Sequence, residues 1–159
     1  MNEDKIRFLK QELVPLVQRI PADTQPAWGK MSLQHMVEHL AAAVRVASGQ
    51  ITAPGTADPT KWERNRAFLM TEKPFKENTR NPFLPETPLP LRHHTLAAAI
   101  NDLQAALIHF FHSYAATPDK KVQNLIFGEL GYAEQVQLLY KHGVHHLRQF
   151  GVTPTDYVS

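Results

Sequence analysis

Apolar residues recur every three or four positions in four stretches of the chain, which is the spacing of one face of an α-helix. These stretches cover residues 6–20, 32–49, 95–116 and 133–150. Pro15 lies inside the first stretch, where we expect it to kink or shorten the helix. The pattern therefore predicts four amphipathic helices.

Residues at the ends of these stretches agree with the predicted boundaries. Ser32 is a good N-cap for the second helix, and Gly49 is a suitable C-cap. The third helix is expected to stop at Thr117 and Pro118, and the fourth at Gly151.

A long segment rich in proline separates the second and third predicted helices. It holds roughly 45 residues and seven of the twelve prolines, and residues 59–70 within it could form a short helix. No segment shows convincing alternation typical of a β-strand. The sequence thus predicts an all-α fold, a four-helix bundle with a long Pro-rich crossover between helices 2 and 3, as one domain over residues 1–159.

Composition and charge exclude several classes of protein. Hydrophobic residues make up 43% of the 159 residues and charged residues 20%, which is a globular composition. A net charge of +2 gives no basic field for nucleic acid or an anionic membrane. The absence of cysteine excludes disulfides, thiolate zinc sites and a cysteine nucleophile. With no apolar run near 18 residues and an acidic start unlike a signal peptide, we expect a cytoplasmic protein.

Nine histidines stand out in this composition, and three of them suggest a metal site. His142 and His146 are four residues apart on the fourth helix, so both lie on one side of it, beside the apolar stripe. His39 borders the apolar stripe of the second helix. Three imidazoles with an open fourth position form a catalytic type of site, for which zinc is the first choice and nickel, iron(II) or manganese are alternatives.

Other interpretations of the same histidines stay open at this point. Histidines at the edge of an apolar stripe are often surface or core residues without a ligand, which would leave a non-catalytic bundle used for dimerisation or ligand binding. The segment from His35 to His39 also matches the H-x-x-E-H signature of inverted zinc peptidases. However, the helical wheel turns Glu38 away from the apolar stripe, which argues against a peptidase.

Several motifs resemble a known family. WGKMS at residues 28–32, which leads into the helix with His39, is similar to the start of helix two in the DinB-like superfamily of metal-dependent enzymes. FGEL at residues 127–130 and KHGVHHLRQFG at residues 141–151 resemble one branch of that superfamily. The resemblance spans nearly the whole chain and implies a four-helix bundle with a long crossover.

The resemblance also implies a site and a chemistry. The family's metal ligands fall on His39, His142 and His146. Characterised relatives are thiol transferases or isomerases that use low-molecular-weight thiols, and many others are described as hydrolases. The resemblance thus implies that the protein binds a divalent metal ion and acts on a small-molecule substrate with water or a low-molecular-weight thiol. It also implies a homodimer.

Neighbouring residues are candidates for the pocket around such a metal. Gln149 could orient a ligand or a bound water through a hydrogen bond, or be an ordinary polar residue of the helix. His35 and His145 are further candidates near the predicted ligands. The crossover would cover the pocket and could contact the substrate through Trp62, Arg64, Arg66, Phe68, Arg80 and Arg92.

Overall fold

The computed structural model of the protein describes residues 2–78 and 87–154, and within them the chain is mostly helical. The short strands β1 (Val122–Asn124) and β2 (Gly128–Leu130) pair with each other. The helices are α1 (Asn2–Arg7), α2 (Leu13–Gln18), α3 (Leu33–Ser48), α4 (Trp62–Leu69), α5 (Leu96–Ala116) and α6 (Tyr132–Gln149).

The first predicted helix is interrupted. A π-helical stretch, Phe8–Glu12, separates α1 from α2, and the N–H of Leu13 donates to the carbonyl of Phe8 five residues back. Pro15 follows in the first turn of α2. Proline has no N–H to donate and its ring crowds the carbonyl four residues earlier, so the turn before it widens instead of continuing as α-helix.

Helix α3 has the two ends that the sequence predicts. The hydroxyl of Ser32 accepts the N–H of His35 at 3.1 Å, and the ring Nδ1 of His35 accepts the N–H of Ser32 at 3.2 Å. This is a capping box in which a histidine takes the place usually held by Glu or Gln. At the other end, Gly49 adopts φ +82°, the left-handed conformation of a C-cap.

Between α3 and α5, the described residues 49–78 and 87–95 are irregular apart from a 3₁₀ turn and one short helix, which agrees with the short helix predicted at 59–70. A 3₁₀ turn, Pro59–Lys61, leads into α4, and the carboxylate of Asp58 accepts the N–H of Thr60 at its start. Near its other end, the segment is attached to α3 by Glu38, which accepts the N–H groups of Arg92 and His93. The predicted contact residue at position 80 lies outside the described residues.

The hairpin of β1 and β2 corrects the prediction that the chain contains no strand. The strands are antiparallel, with Val122 opposite Leu130 and Asn124 opposite Gly128. Each has three residues, which is too short to produce a recognisable alternation of apolar and polar positions. The indole N–H of Trp62 donates to the carbonyl of Leu125 at 3.0 Å, so the loop of the hairpin packs against α4.

Most of the helices share one large apolar core, whereas Leu69 of α4 packs in a smaller cluster with Phe127 and Leu130. Helix α3 packs along α5, and α6 contacts α1, α2 and α3. Among the described residues, no helix has both the length and the hydropathy to cross a membrane. The core includes the almost fully buried side chains of Leu9, Leu13, Met36, Leu103, Leu107, Phe110, Val136 and Leu147.

Candidate metal centre

Three histidines from two helices meet at one point. His39 projects from α3, while His142 and His146 lie one turn apart on α6. The Nε2 atom of His142 is 2.9 Å from that of His39 and 3.0 Å from that of His146. One ligand atom from each residue lies within 4.8 Å of the others. We call this group the three-His cluster.

Two of the three spacings between these nitrogens match those of ligands on a single metal ion. Two imidazole nitrogens bonded to one zinc at about 2.0–2.1 Å lie roughly 2.9 Å apart at a right angle and roughly 3.4 Å apart at the tetrahedral angle. The two measured distances, 2.9 and 3.0 Å, are at the short end of this range. The three histidines are therefore close enough to hold a metal ion.

Burial keeps the imidazoles of the cluster neutral. Desolvation lowers the pKa of His39 from 6.5 to about 4, with a smaller contribution from the charge of His145. Desolvation, followed by repulsion from the neighbouring histidines, also holds the pKa of His142 and His146 well below the ordinary value. At neutral pH all three rings are thus uncharged, which is the form that binds metals.

Gln149 contacts the three-His cluster at Nδ1 of His146, on the side of that ring opposite the ligand atom. Its side-chain oxygen lies 2.8 Å from Nδ1 of His146, and its amide group donates to the main-chain carbonyl of Trp28 at 3.0 Å. Only 4% of Gln149 is exposed. Gln149 thus lies beside a predicted ligand and outside the ligand group of the described residues.

His145 lies beside the cluster within a group of aromatic rings. Its ring centroid is 5.0 Å from that of His146, 5.4 Å from that of Trp28 and 6.3 Å from that of Phe75. Desolvation lowers its pKa. Among the described residues, the ligand group comprises His39, His142 and His146 without His145. The rings of Trp28, His145 and Phe75 form an aromatic wall next to the cluster.

Two pocket candidates from the sequence have other contacts in the fold. His35 caps the N-terminus of α3 through Ser32 and is outside the ligand group found in the described part of the chain. Trp62 donates to Leu125 and packs on the hairpin at Gly128. These contacts give His35 and Trp62 a structural role in the fold.

Glu38 also has partners that the peptidase signature would not predict. Its carboxylate accepts hydrogen bonds from the N–H groups of Arg92 and His93 and from the side chain of Gln34. Burial acts to raise its pKa, but these hydrogen bonds outweigh it and hold the pKa below the ordinary value. Glu38 therefore fastens the crossover to α3, which leaves its carboxylate engaged away from the three-His cluster.

The other described histidines are outside the ligand group. His109 and His112 are exposed on α5, and Nε2 of His93 is 3.2 Å from the carboxylate of Asp102. The guanidinium of Arg66 donates to the carbonyl of Phe127.

The contact of the Phe75 ring with His145 and the burial of Lys141 were not predicted from the sequence. Phe75 stands in an irregular segment, where no periodicity marks which side chains are buried. The ammonium of Lys141 donates to the carbonyls of Phe68, Leu69 and Thr71 at 3.1–3.2 Å, and desolvation lowers its pKa to about 8. In the sequence, Lys141 stands beside the polar edge of α6, and nothing in the pattern indicated that its side chain would be buried.

Comparisons with known proteins add no assignment. No family model, no curated protein and no solved structure matches this chain. The resemblance to the DinB-like superfamily therefore stays a prediction, and the three-His cluster is the observation on which a function can be argued.

Proposed function

We propose that this protein is a metal-dependent enzyme whose divalent ion is bound by His39, His142 and His146. One observation carries the proposal, namely the convergence of three neutral imidazole Nε2 atoms from two helices, with separations of 2.9 and 3.0 Å from the central one. The donor set has nitrogen ligands alone, which suits zinc and also nickel, iron(II) or manganese. Three protein ligands leave a position for a reactant.

The residues around the cluster define what the site can do. A divalent ion held there would supply Lewis acidity, so that water or a low-molecular-weight thiol could become a nucleophile near neutral pH in a chain without cysteine. The three imidazoles bind the ion, and Gln149 holds one of them in place. The aromatic wall of Trp28, His145 and Phe75 lies next to His146 on one side of the cluster. A hydrolase or a thiol transferase acting on a small molecule fits this arrangement.

We also propose that the fold is a DinB-like four-helix bundle in a single domain. In support, four helical segments share the core. The first consists of α1, the π-helical stretch and α2, and the others are α3, α5 and α6. The long segment between α3 and α5 has the position of the crossover in that family. A homodimer is part of the same proposal by analogy with the family.

Metal-dependent turnover tests the enzymatic part of this proposal. The protein would be treated with a chelator, reloaded with zinc, nickel, iron(II) or manganese, and assayed on activated esters and on electrophiles with low-molecular-weight thiols. We expect turnover in at least one assay that disappears with chelator and returns with metal. His142→Ala should abolish it, whereas His109→Ala, at an exposed position of α5, should not.

Two results would contradict the proposal. Turnover that is unaffected by chelator and by His142→Ala would place the chemistry elsewhere. A protein that binds metal but turns over none of these substrates with any of the four ions would favour a non-catalytic bundle that binds ligands or forms dimers.

A further inference from the structure

Gln149 joins His146 to the segment before α3. We propose that it is a positioning residue that fixes the proton of His146 on Nδ1, so that the bare Nε2 atom faces the three-His cluster. The inference deepens the proposed function, and its consequence for metal binding rests on that function. The position of the proton itself follows from two hydrogen bonds, one on each side of the Gln149 amide.

The two hydrogen bonds determine the proton position by elimination. The main-chain carbonyl of Trp28 can only accept, so the Gln149 group that faces it must be the NH₂ group. The side-chain oxygen of Gln149 then faces His146, and because an amide oxygen can only accept, Nδ1 of His146 must carry the proton. A neutral imidazole has one N–H, so Nε2 is left as a lone pair.

The segment before α3 is shaped to hold this amide. The N–H of Ala27 donates to the main-chain carbonyl of Gln149 at 2.7 Å. Gly29 has φ +77°, and a Cβ atom at this position would lie 3.2 Å from the amide nitrogen of Gln149. Glycine therefore serves both the left-handed backbone and the close approach of the amide. Trp28 and Gly29 thus have a shared physical role, which is to orient Gln149.

The consequence concerns the affinity for metal. An imidazole with its proton on Nε2 cannot use that atom as a metal ligand. A hydrogen-bond acceptor beside Nδ1 keeps the proton on Nδ1 and leaves Nε2 able to bind the metal. Removing partners of this kind typically costs about 10–100-fold in metal affinity. A glutamine that only joined two segments would affect stability but not the proton position.

The first test measures the proton position in metal-free protein. Nitrogen-15 NMR of the imidazole rings at neutral pH distinguishes the two neutral tautomers. We expect His146 of the wild type to be protonated on Nδ1, Gln149→Leu to shift the proton at least partly to Nε2, and Gln149→Glu to retain Nδ1 protonation because it keeps an acceptor. Gln137→Leu is the control, since Gln137 is an equally buried glutamine of α6 whose partners are Lys5 and the carbonyls of Leu69 and Thr71.

The second test measures zinc affinity by competition with a chromogenic chelator. Gln149→Leu should bind zinc about 10–100-fold more weakly than wild type, while Gln149→Glu and Gln137→Leu should stay close to it. Equal affinities for wild type and Gln149→Leu would overturn the inference, as would Nε2 protonation of His146 in the wild type. If the wild type binds no zinc, the proposed function fails, but the tautomer measurement still decides the role of Gln149. If Gln149→Leu does not fold, the wild-type tautomer and the Gln149→Glu variant decide it.

Discussion

At the scale of single residues, desolvation sets the chemistry of the three-His cluster. His142 has two other imidazoles against its Nε2 atom, and a charge on any of them would be both buried and repelled. The helical wheel could predict that His39, His142 and His146 face a common region, because helix periodicity fixes direction. It could not predict the Trp28 carbonyl that orients Gln149, because a main-chain contact leaves no mark in the side-chain pattern.

The lowered pKa values predict how stability depends on pH. We expect metal-free protein to lose stability as the pH falls from about 7 to 5, because the unfolded chain there binds protons on His39, His142 and His146 that the folded chain excludes. For each of these histidines, the free energy of unfolding falls by about 1.4 kcal/mol per pH unit below the pKa of the unfolded chain. The contribution is complete above the unfolded value of 6.5 and is lost as the pH falls toward the folded value.

Urea unfolding of chelator-treated protein between pH 5 and 8 measures this dependence. His142→Asn should flatten it, whereas the exposed His109→Asn should leave it unchanged. A free energy of unfolding that stays constant over this range in the wild type would show that the cluster is not kept neutral by folding.

At the scale of elements, the long helices and the short helix α4 were predictable, whereas the π-helical stretch and the hairpin were not. Ser32 and Gly49 mark the ends of α3 through cap chemistry, which acts within a few residues and can be seen in the sequence. Pro15 indicates a disturbed helix but does not say that the turn before it becomes π-helical, and strands of three residues are too short to show alternation. The polar carboxylate of Glu38 likewise acquires its role only when the crossover folds back onto α3.

The hairpin supplies a prediction about close packing. Gly128 has φ +82°, and a Cβ atom there would lie 2.9 Å from the guanidinium of Arg66 and 3.0 Å from the ring of Trp62. Gly151 has the same φ, but a Cβ atom would meet nothing within 4 Å. We expect Gly151→Ala to cost about 1–2 kcal/mol for the left-handed backbone alone, and Gly128→Ala to cost at least about 1 kcal/mol more.

Denaturant unfolding of the two variants beside the wild type gives both differences. Since the backbone conformation is shared, the gap between them isolates the contact of the hairpin with α4. Equal losses of stability in Gly128→Ala and Gly151→Ala would mean that Trp62 and Arg66 move aside without cost, and that the hairpin does not hold α4 in place.

At the scale of the whole molecule, a metal bound between α3 and α6 connects local chemistry to global stability. His39 is separated from His142 by 103 positions in the sequence, so an ion shared by them requires the folded arrangement of both helices. A ligand that binds the folded state alone stabilises it by mass action. An ion bound by the three-His cluster would thus link the stability of the fold to the proposed activity.

This connection predicts a metal-dependent melting temperature. At a free zinc concentration about 100 times the dissociation constant, the gain is about 2.7 kcal/mol, which for a chain of this size raises the melting temperature by roughly 5–10 °C. Thermal melts with zinc and with a chelator measure the shift. His142→Ala should melt at the same temperature in both conditions, and a wild type that does so as well would contradict a folded-state metal site.

Elemental analysis of the protein purified without added metal or chelator determines whether the three-His cluster holds an ion. We expect about one divalent ion per chain in the wild type and in His109→Ala, and almost none in His142→Ala. A wild type that carries no more metal than His142→Ala, and that takes none up from solution, would contradict a metal site at His39, His142 and His146.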